Sequence, residues 1–181
     1  MDNPSIMMNQ KRKVSTLALL VALALATNYL MFPLWNVKLM DFLVFTAGYL
    51  LGPLYGALAG ILVWLVYGTL NPLGFNLFVL LMVAPLETLY GIAGGLMRKW
   101  KLSVWMASTL GFIATAAYDV VTNGVTGLLF YGGSFLLGLQ VGAPFAIVHE
   151  ISNLLIFSTL IPLLYPRIST SHIGEVRVVE R

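Results

Sequence analysis

Five apolar runs make up most of this chain, spanning residues 14–34, 42–70, 75–96, 104–130 and 141–164. A helix needs about 20 consecutive apolar residues to cross a bilayer core, and every backbone polar group at that depth must be satisfied within the helix. Only 9% of the residues are charged, where a soluble domain carries about a quarter. The pattern predicts an all-α integral membrane protein. The first run exceeds the roughly 7–15 residues of a signal-peptide core, and no small-residue cleavage site follows it, so a retained first span is expected. The absence of cysteine removes disulfides, thiolate metal ligands and cysteine nucleophiles together. The net charge of +3 is dispersed, which argues against a nucleic-acid surface.

The second run decides the topology. As one helix of 29 residues it would measure about 43 Å, too long for a core of about 30 Å without strong tilt. Basic residues favour the cytoplasmic side of short loops. Here Lys11, Arg12 and Lys13 precede the first run, Arg98, Lys99 and Lys101 follow the third, and Arg167, Arg177 and Arg181 follow the last. A break near Gly52-Pro53 puts all nine on one side and leaves only Lys38 on the other. The expected architecture is a six-helix transmembrane bundle with a short second helix and cytoplasmic N and C termini. Its divisions are a basic cytoplasmic segment over 1–13, a membrane domain over 14–166 and a polar cytoplasmic tail, without regular structure, over 167–181. Outer connections are expected over 35–41, 71–74 and 131–140, with breaks or kinks at Pro53 and Pro85.

Four of the seven acids, Asp41, Glu87, Asp119 and Glu150, lie within or at the edge of these runs. An ionisable group at the centre of a membrane helix costs roughly 2.5–3.5 kcal/mol on insertion scales, which marks such residues as functional candidates. Helical rise places Asp119 about 16 Å and Asn123 about 10 Å below the outer end of the fifth helix. On the sixth, Glu150 lies about 10 Å down and Asn153 about 15 Å, with His149 adjacent. Asp119, Asn123, His149, Glu150 and Asn153 are therefore the expected pocket residues, and Tyr118 and Trp35 are candidates to stack on a flat ligand, alongside Phe75 and Tyr131. Converging carboxylates repel and favour protonation, which a cationic or multiply hydrogen-bonding ligand relieves. Glu87, about 18 Å down the fourth helix, is the weakest pocket candidate because it could instead organise the kink at Pro85; Asp41, at a helix edge, fits either a cap on the second helix or a place facing the pocket from outside.

Small residues recur every four positions on two segments: Ala18, Ala22 and Ala26, and Gly48, Gly52, Gly56 and Gly60. Such positions share a helix face and admit a close neighbour. The glycine series reads as packing inside the bundle; the alanine series fits either internal packing or a partner helix docked from outside. Enzyme signatures are missing. His149-Glu150-Ile151-Ser152-Asn153 lacks the second histidine of a zinc-protease helix, and no phosphate-binding loop or nucleophile elbow occurs. No cofactor or metal site is expected, and the chain does not hydrolyse ATP itself.

Several stretches resemble the substrate-binding (S) component of an energy-coupling factor (ECF) transporter. They are the basic start running into an alanine-rich helix (KRKVSTLALLVALALATNYL), the turn within FTAGYLLGPLYGALAGIL, and the helix end PLETLYGIAGGLMRK, within a likeness covering roughly residues 11–166. The resemblance implies a multi-pass protein of the plasma membrane that captures a vitamin or cofactor precursor on the outer side. Its implied partners are that small molecule, the lipid bilayer, a transmembrane coupling protein and two ATPases. It further implies that Ala18, Ala22 and Ala26 dock on the coupling protein and that the pocket lies in the outer halves of helices four to six. The alternative from another class is a self-sufficient proton-coupled transporter using Asp119, His149 and Glu150 as a relay. An internal inverted repeat would favour it; the polar positions of the two halves show none.

Overall fold

The computed structural model describes residues 10–98 and 103–176, with side chains as far as Leu164. Lys99, Trp100, Lys101, Arg177 and Arg181 lie outside these residues, as does the side chain of Arg167. Six helices follow one another: α1 (Gln10–Leu30), α2 (Met40–Leu51), α3 (Pro53–Thr69), α4 (Leu77–Met97), α5 (Val104–Phe130) and α6 (Phe135–Val176). No strand occurs among the described residues. By length and composition α1, α4, α5 and the part of α6 up to Leu164 can cross a membrane, whereas α2 and α3 are shorter apolar helices.

The break expected in the second run is present, and its chemistry is local. Gly52 has φ 103° and ψ 165°, a backbone conformation open to glycine and strained for residues with a Cβ. Its extended ψ is also what the following proline requires. Pro53 then opens α3, where a missing N–H costs nothing. The N–H of Gly52 still closes α2 on the carbonyl of Gly48. At the other helix starts, Asn76 accepts from the Val79 N–H at 3.1 Å and Ser103 from that of Met106 at 3.1 Å, which satisfies backbone donors that the helix leaves open.

α2 is the centre of the bundle. Ten of its twelve residues are buried, and it packs against α1, α3, α4 and α6. The glycine series is internal packing. A Cβ on Gly48, Gly56 or Gly91 would run into the backbone of the facing helix, and one on Gly94 or Gly95 would meet Phe45 or Pro53. Small side chains thus bring α2, α3 and α4 to backbone contact, where dispersion substitutes for a hydrophobic drive that lipid removes. α5 and α6 form a second close pair through Gly127 and Gly138.

Two expected boundaries are corrected. The connection expected over 131–140 is only 131–134, because the Ser134 hydroxyl accepts from the Leu137 N–H at 3.1 Å and caps α6 there. Glycines at 132 and 133, with φ of 65° and 77°, make the tight turn. The helix also continues through Pro162 and Pro166 to Val176 instead of giving way to an irregular tail at 167. Each proline removes one backbone bond, and a long helix can retain the turns on both sides.

The backbone contacts at Gly91 give a direct check. Gly91→Val should lower stability by about 3 kcal/mol or more, since the obstacle is backbone that cannot rotate away. Gly132→Asn, in open space with a left-handed φ that asparagine tolerates, should stay close to wild type. Thermal midpoints of the detergent-purified variants measure both.

Candidate functional site

The connections 31–39, 70–76 and 131–134 share one end of the bundle, where the Tyr29 hydroxyl donates to the Leu70 carbonyl at 3.2 Å and the Asn36 side-chain amide to that of Phe145 at 2.9 Å. Beneath this end four helices contribute polar side chains to one buried cluster. His149 on α6 stands between two acids: Nε2 lies 2.6 Å from Asp41 Oδ2, and Nδ1 lies 3.1 Å from each oxygen of Asp119. A neutral imidazole has one N–H. Both contacts are satisfied only by the imidazolium or by a proton on one of the carboxyls.

One turn along α6, Asn153 extends the network. Its amide nitrogen lies 2.6 Å from Asp41 Oδ2, 2.8 Å from Thr115 Oγ1 and 3.4 Å from the Tyr90 hydroxyl. Tyr90 donates to Thr115 at 2.9 Å, and Thr115 passes its own proton to the Gly111 carbonyl at 2.8 Å. On the opposite side Glu87 accepts from the indole N–H of Trp64 at 3.0 Å, and its carboxyl meets that of Asp41. Gly60 permits this approach: a Cβ there would sit 3.0 Å from the Glu87 backbone. Asp41, Glu87, His149 and Asn153 are all essentially inaccessible to solvent.

Three acceptor oxygens in this cluster meet no donor among the described residues, Asp41 Oδ1, Glu87 Oε1 and Asn153 Oδ1, although a proton shared by the two facing carboxyls would serve one of the first two. A buried acceptor left unpaired costs roughly 1–3 kcal/mol. An arrangement that only held helices together would gain by replacing them with apolar atoms. The orphaned oxygens are what a donor-rich ligand would satisfy.

Aromatic rings wall the cluster. Tyr118 packs edge-on against His149 at 5.8 Å and lies nearly parallel to Trp64, their centroids 6.5 Å apart and planes inclined by 25°. Beyond Trp64, a cavity of about 270 Å³ opens between the ends of α3 and α4, lined by Gly68, Asn71, Asn76, Leu80 and Val83 among others. Lys38, on the connection between α1 and α2, places its ammonium 5.0 Å from the Tyr118 ring centre and 5.8 Å from that of Trp64.

Of the residues expected from sequence, the structure brings together Asp119, His149, Asn153 and Tyr118. It sets three others apart. Glu150 is half-buried and has no described side-chain hydrogen bond to the cluster, since consecutive residues point about 100° apart on a helix. The face that matters pairs Asn153 with His149 instead. Asn123 packs on the Gly142 backbone between α5 and α6; the face of α5 that meets the cluster runs through Thr115, Tyr118 and Asp119. Trp35 is 64% exposed and packs on Phe145. Phe75 and Tyr131 are likewise exposed.

Asp41 and Glu87, for which the sequence left a cap or a kink open beside a place at the pocket, are part of the cluster. Asp41 makes no capping hydrogen bond, and α2 starts at Met40 with the acid turned inward. Glu87 reaches Trp64 on α3. Trp64, Tyr90, Thr115 and Lys38 were not singled out as site residues. The spacing of Thr115, Tyr118 and Asp119, three and four apart on one face, and the isolation of Lys38 from every other basic residue were the available signals. Among the described residues no three acids and histidines are arranged to hold a metal ion.

Residues 12–165 match the family "ECF transporter, substrate-specific component". No curated protein and no solved structure matches the chain. The matched segment runs through all six helices and includes every residue of the cluster. A helical bundle with four membrane-length apolar helices agrees with it. On this basis the chain belongs to the family of ECF transporter substrate-specific components, and is a membrane-embedded transporter subunit rather than an enzyme.

Proposed function

We propose that the chain binds a vitamin or cofactor-precursor micronutrient at the outer face of the plasma membrane and delivers it for ATP-driven uptake by a module of one coupling protein and two ATPases. The observation that carries this reading is the set of three buried, donorless oxygens at the junction of α2, α4 and α6. In this reading Asp41, Glu87, Asp119, His149 and Asn153 bind the ligand's polar groups and Tyr118 packs on it. Trp35, Glu150 and Asn123 belong to the surrounding rim.

The proposed orientation has six crossings and both termini in the cytoplasm. Its support is that Lys13 lies over Tyr55 at the start of α3 and Arg98 lies near Gly52, so basic residues gather at the end opposite the cluster. The proposed docking face is supported by the exposure of Ala18, Ala22 and Ala26 along α1, while Leu17, Ala24 and Asn28 of the same helix face inward.

Mass spectrometry of the purified chain should find one small molecule bound per protein. Titration with that molecule should show Asp41→Asn and His149→Gln weakening binding at least tenfold, about 1.4 kcal/mol, and Glu150→Gln by less than threefold. Unchanged affinity in the first two variants would move the site elsewhere.

A second measurement separates binding from delivery. Ala22→Trp should leave affinity intact and abolish uptake in vesicles containing the complete module. Loss of affinity would return the alanine face to internal packing. Uptake driven by a proton gradient with no ATPase present would instead establish the self-sufficient transporter.

A further inference from the structure

Lys38 stands alone among the basic residues. The other basic residues with described side chains, Lys11, Arg12, Lys13 and Arg98, lie at the opposite end, while Lys38 lies on the connection that roofs the cluster. That connection is fixed to α6 at two adjacent points: Trp35 packs on Phe145 at 4.6 Å, and the Asn36 side chain bonds to the Phe145 carbonyl. Asn36 takes a left-handed backbone, φ 53°, that asparagine tolerates. The roof is thus anchored, and the lysine side chain is its movable part.

Among the described residues no carboxylate lies within ion-pair distance of Lys38; the ion pairs at this site belong to His149. The ammonium instead sits on the faces of Tyr118 and Trp64. It is close enough to act on the charges of Asp41, Glu87 and His149, yet it reaches none of the three orphaned oxygens. The cleft therefore already holds a cation, on ring faces and short of the orphaned oxygens.

From this we infer that Lys38 is a tethered stand-in for the substrate's own positive group. The transported molecule is a flat aromatic cation with several N–H donors in the ring plane, and it displaces the lysine from beside Tyr118 and Trp64. A planar head stacks on the two rings by the same cation–π attraction. Its in-plane donors extend toward the carboxyls beyond the ring edges, where Trp64 adjoins Glu87 and Tyr118 adjoins His149. An ammonium on a ring face does not make those bonds. Lys38 then sets specificity by competition: a molecule too weakly cationic fails to dislodge it. This rests on the reading of the cluster as the ligand site.

The test uses the full-length protein in detergent with two probes of one shape and opposite charge, benzamidine and benzoate, followed by titration calorimetry. Lys38→Met keeps most of the stem and removes the ammonium, and its thermal midpoint should match wild type because the roof is held by Trp35 and Asn36. Benzamidine should bind Lys38→Met at least tenfold more tightly than wild type, and benzoate should bind neither. Benzoate binding to wild type that disappears in Lys38→Met would overturn the inference by making Lys38 an anion anchor. Equal benzamidine affinity in the two proteins, or no binding to either, would overturn it as well. Those results leave the binding-subunit reading to the co-purifying molecule, so the two failures are distinguishable.

Discussion

A contact of 2.6 Å between Asp41 and His149 joins the two halves of this protein. α2, α3 and α4 are held together by glycines at backbone distance, and α5 and α6 by a second set. The interface between these two groups is where the polar cluster lies, with Asp41 and Glu87 on one side and Thr115, Asp119, His149 and Asn153 on the other. Below it, Phe157 of α6 packs edge-on against Phe42 and Phe45 of α2 at 5.3 and 5.2 Å. Apolar contact there aligns the helices, and the histidine sets which turns face one another. Removing either partner would leave a buried charged or polar group without its match, a loss of several kcal/mol for a buried ion pair.

The glycine contacts have a functional consequence through α2. A helix of twelve residues, at about 18 Å, is shorter than a bilayer core of about 30 Å. Its neighbours enclose it and make up the difference. Its first turn begins below the bundle's end, under the connection that carries Lys38, so an acid near its start is buried at the interface. Close packing of α3 and α4 at Gly60 likewise brings Glu87 toward the same point. The substrate-specific subunit thus builds its candidate pocket from packing devices that look purely structural in isolation.

Much of this was legible in the sequence, and the exceptions have physical causes. Run lengths and the positions of the basic residues gave six helices and the break at Gly52-Pro53. Helical spacing on α5 and α6 gave Asp119, His149 and Asn153. The sequence leaves Asp41 open between a cap and a pocket residue because distance along the chain does not give depth: it is the second residue of its helix and also one of the most buried among the described residues. Adjacency of Glu150 to His149 in sequence likewise means a different direction in space, and Glu150 is half-buried where His149 is fully buried. The end of the loop before α6 was missed because the glycines around 132 and 138 look alike in sequence, though the first makes a turn and the second packs against α5. Partners across helices, such as Trp64 for Glu87, have no local signature at all.

The buried cluster is proposed to be a ligand site as well as a polar seam between helices. A structure of the protein with its co-purifying molecule decides this. The molecule should lie against Trp64 and Tyr118 in place of the Lys38 ammonium, with donors within hydrogen-bonding distance of Asp41 Oδ1, Glu87 Oε1 and Asn153 Oδ1. Density elsewhere, with the contacts of His149 and the three oxygens unchanged, would contradict it.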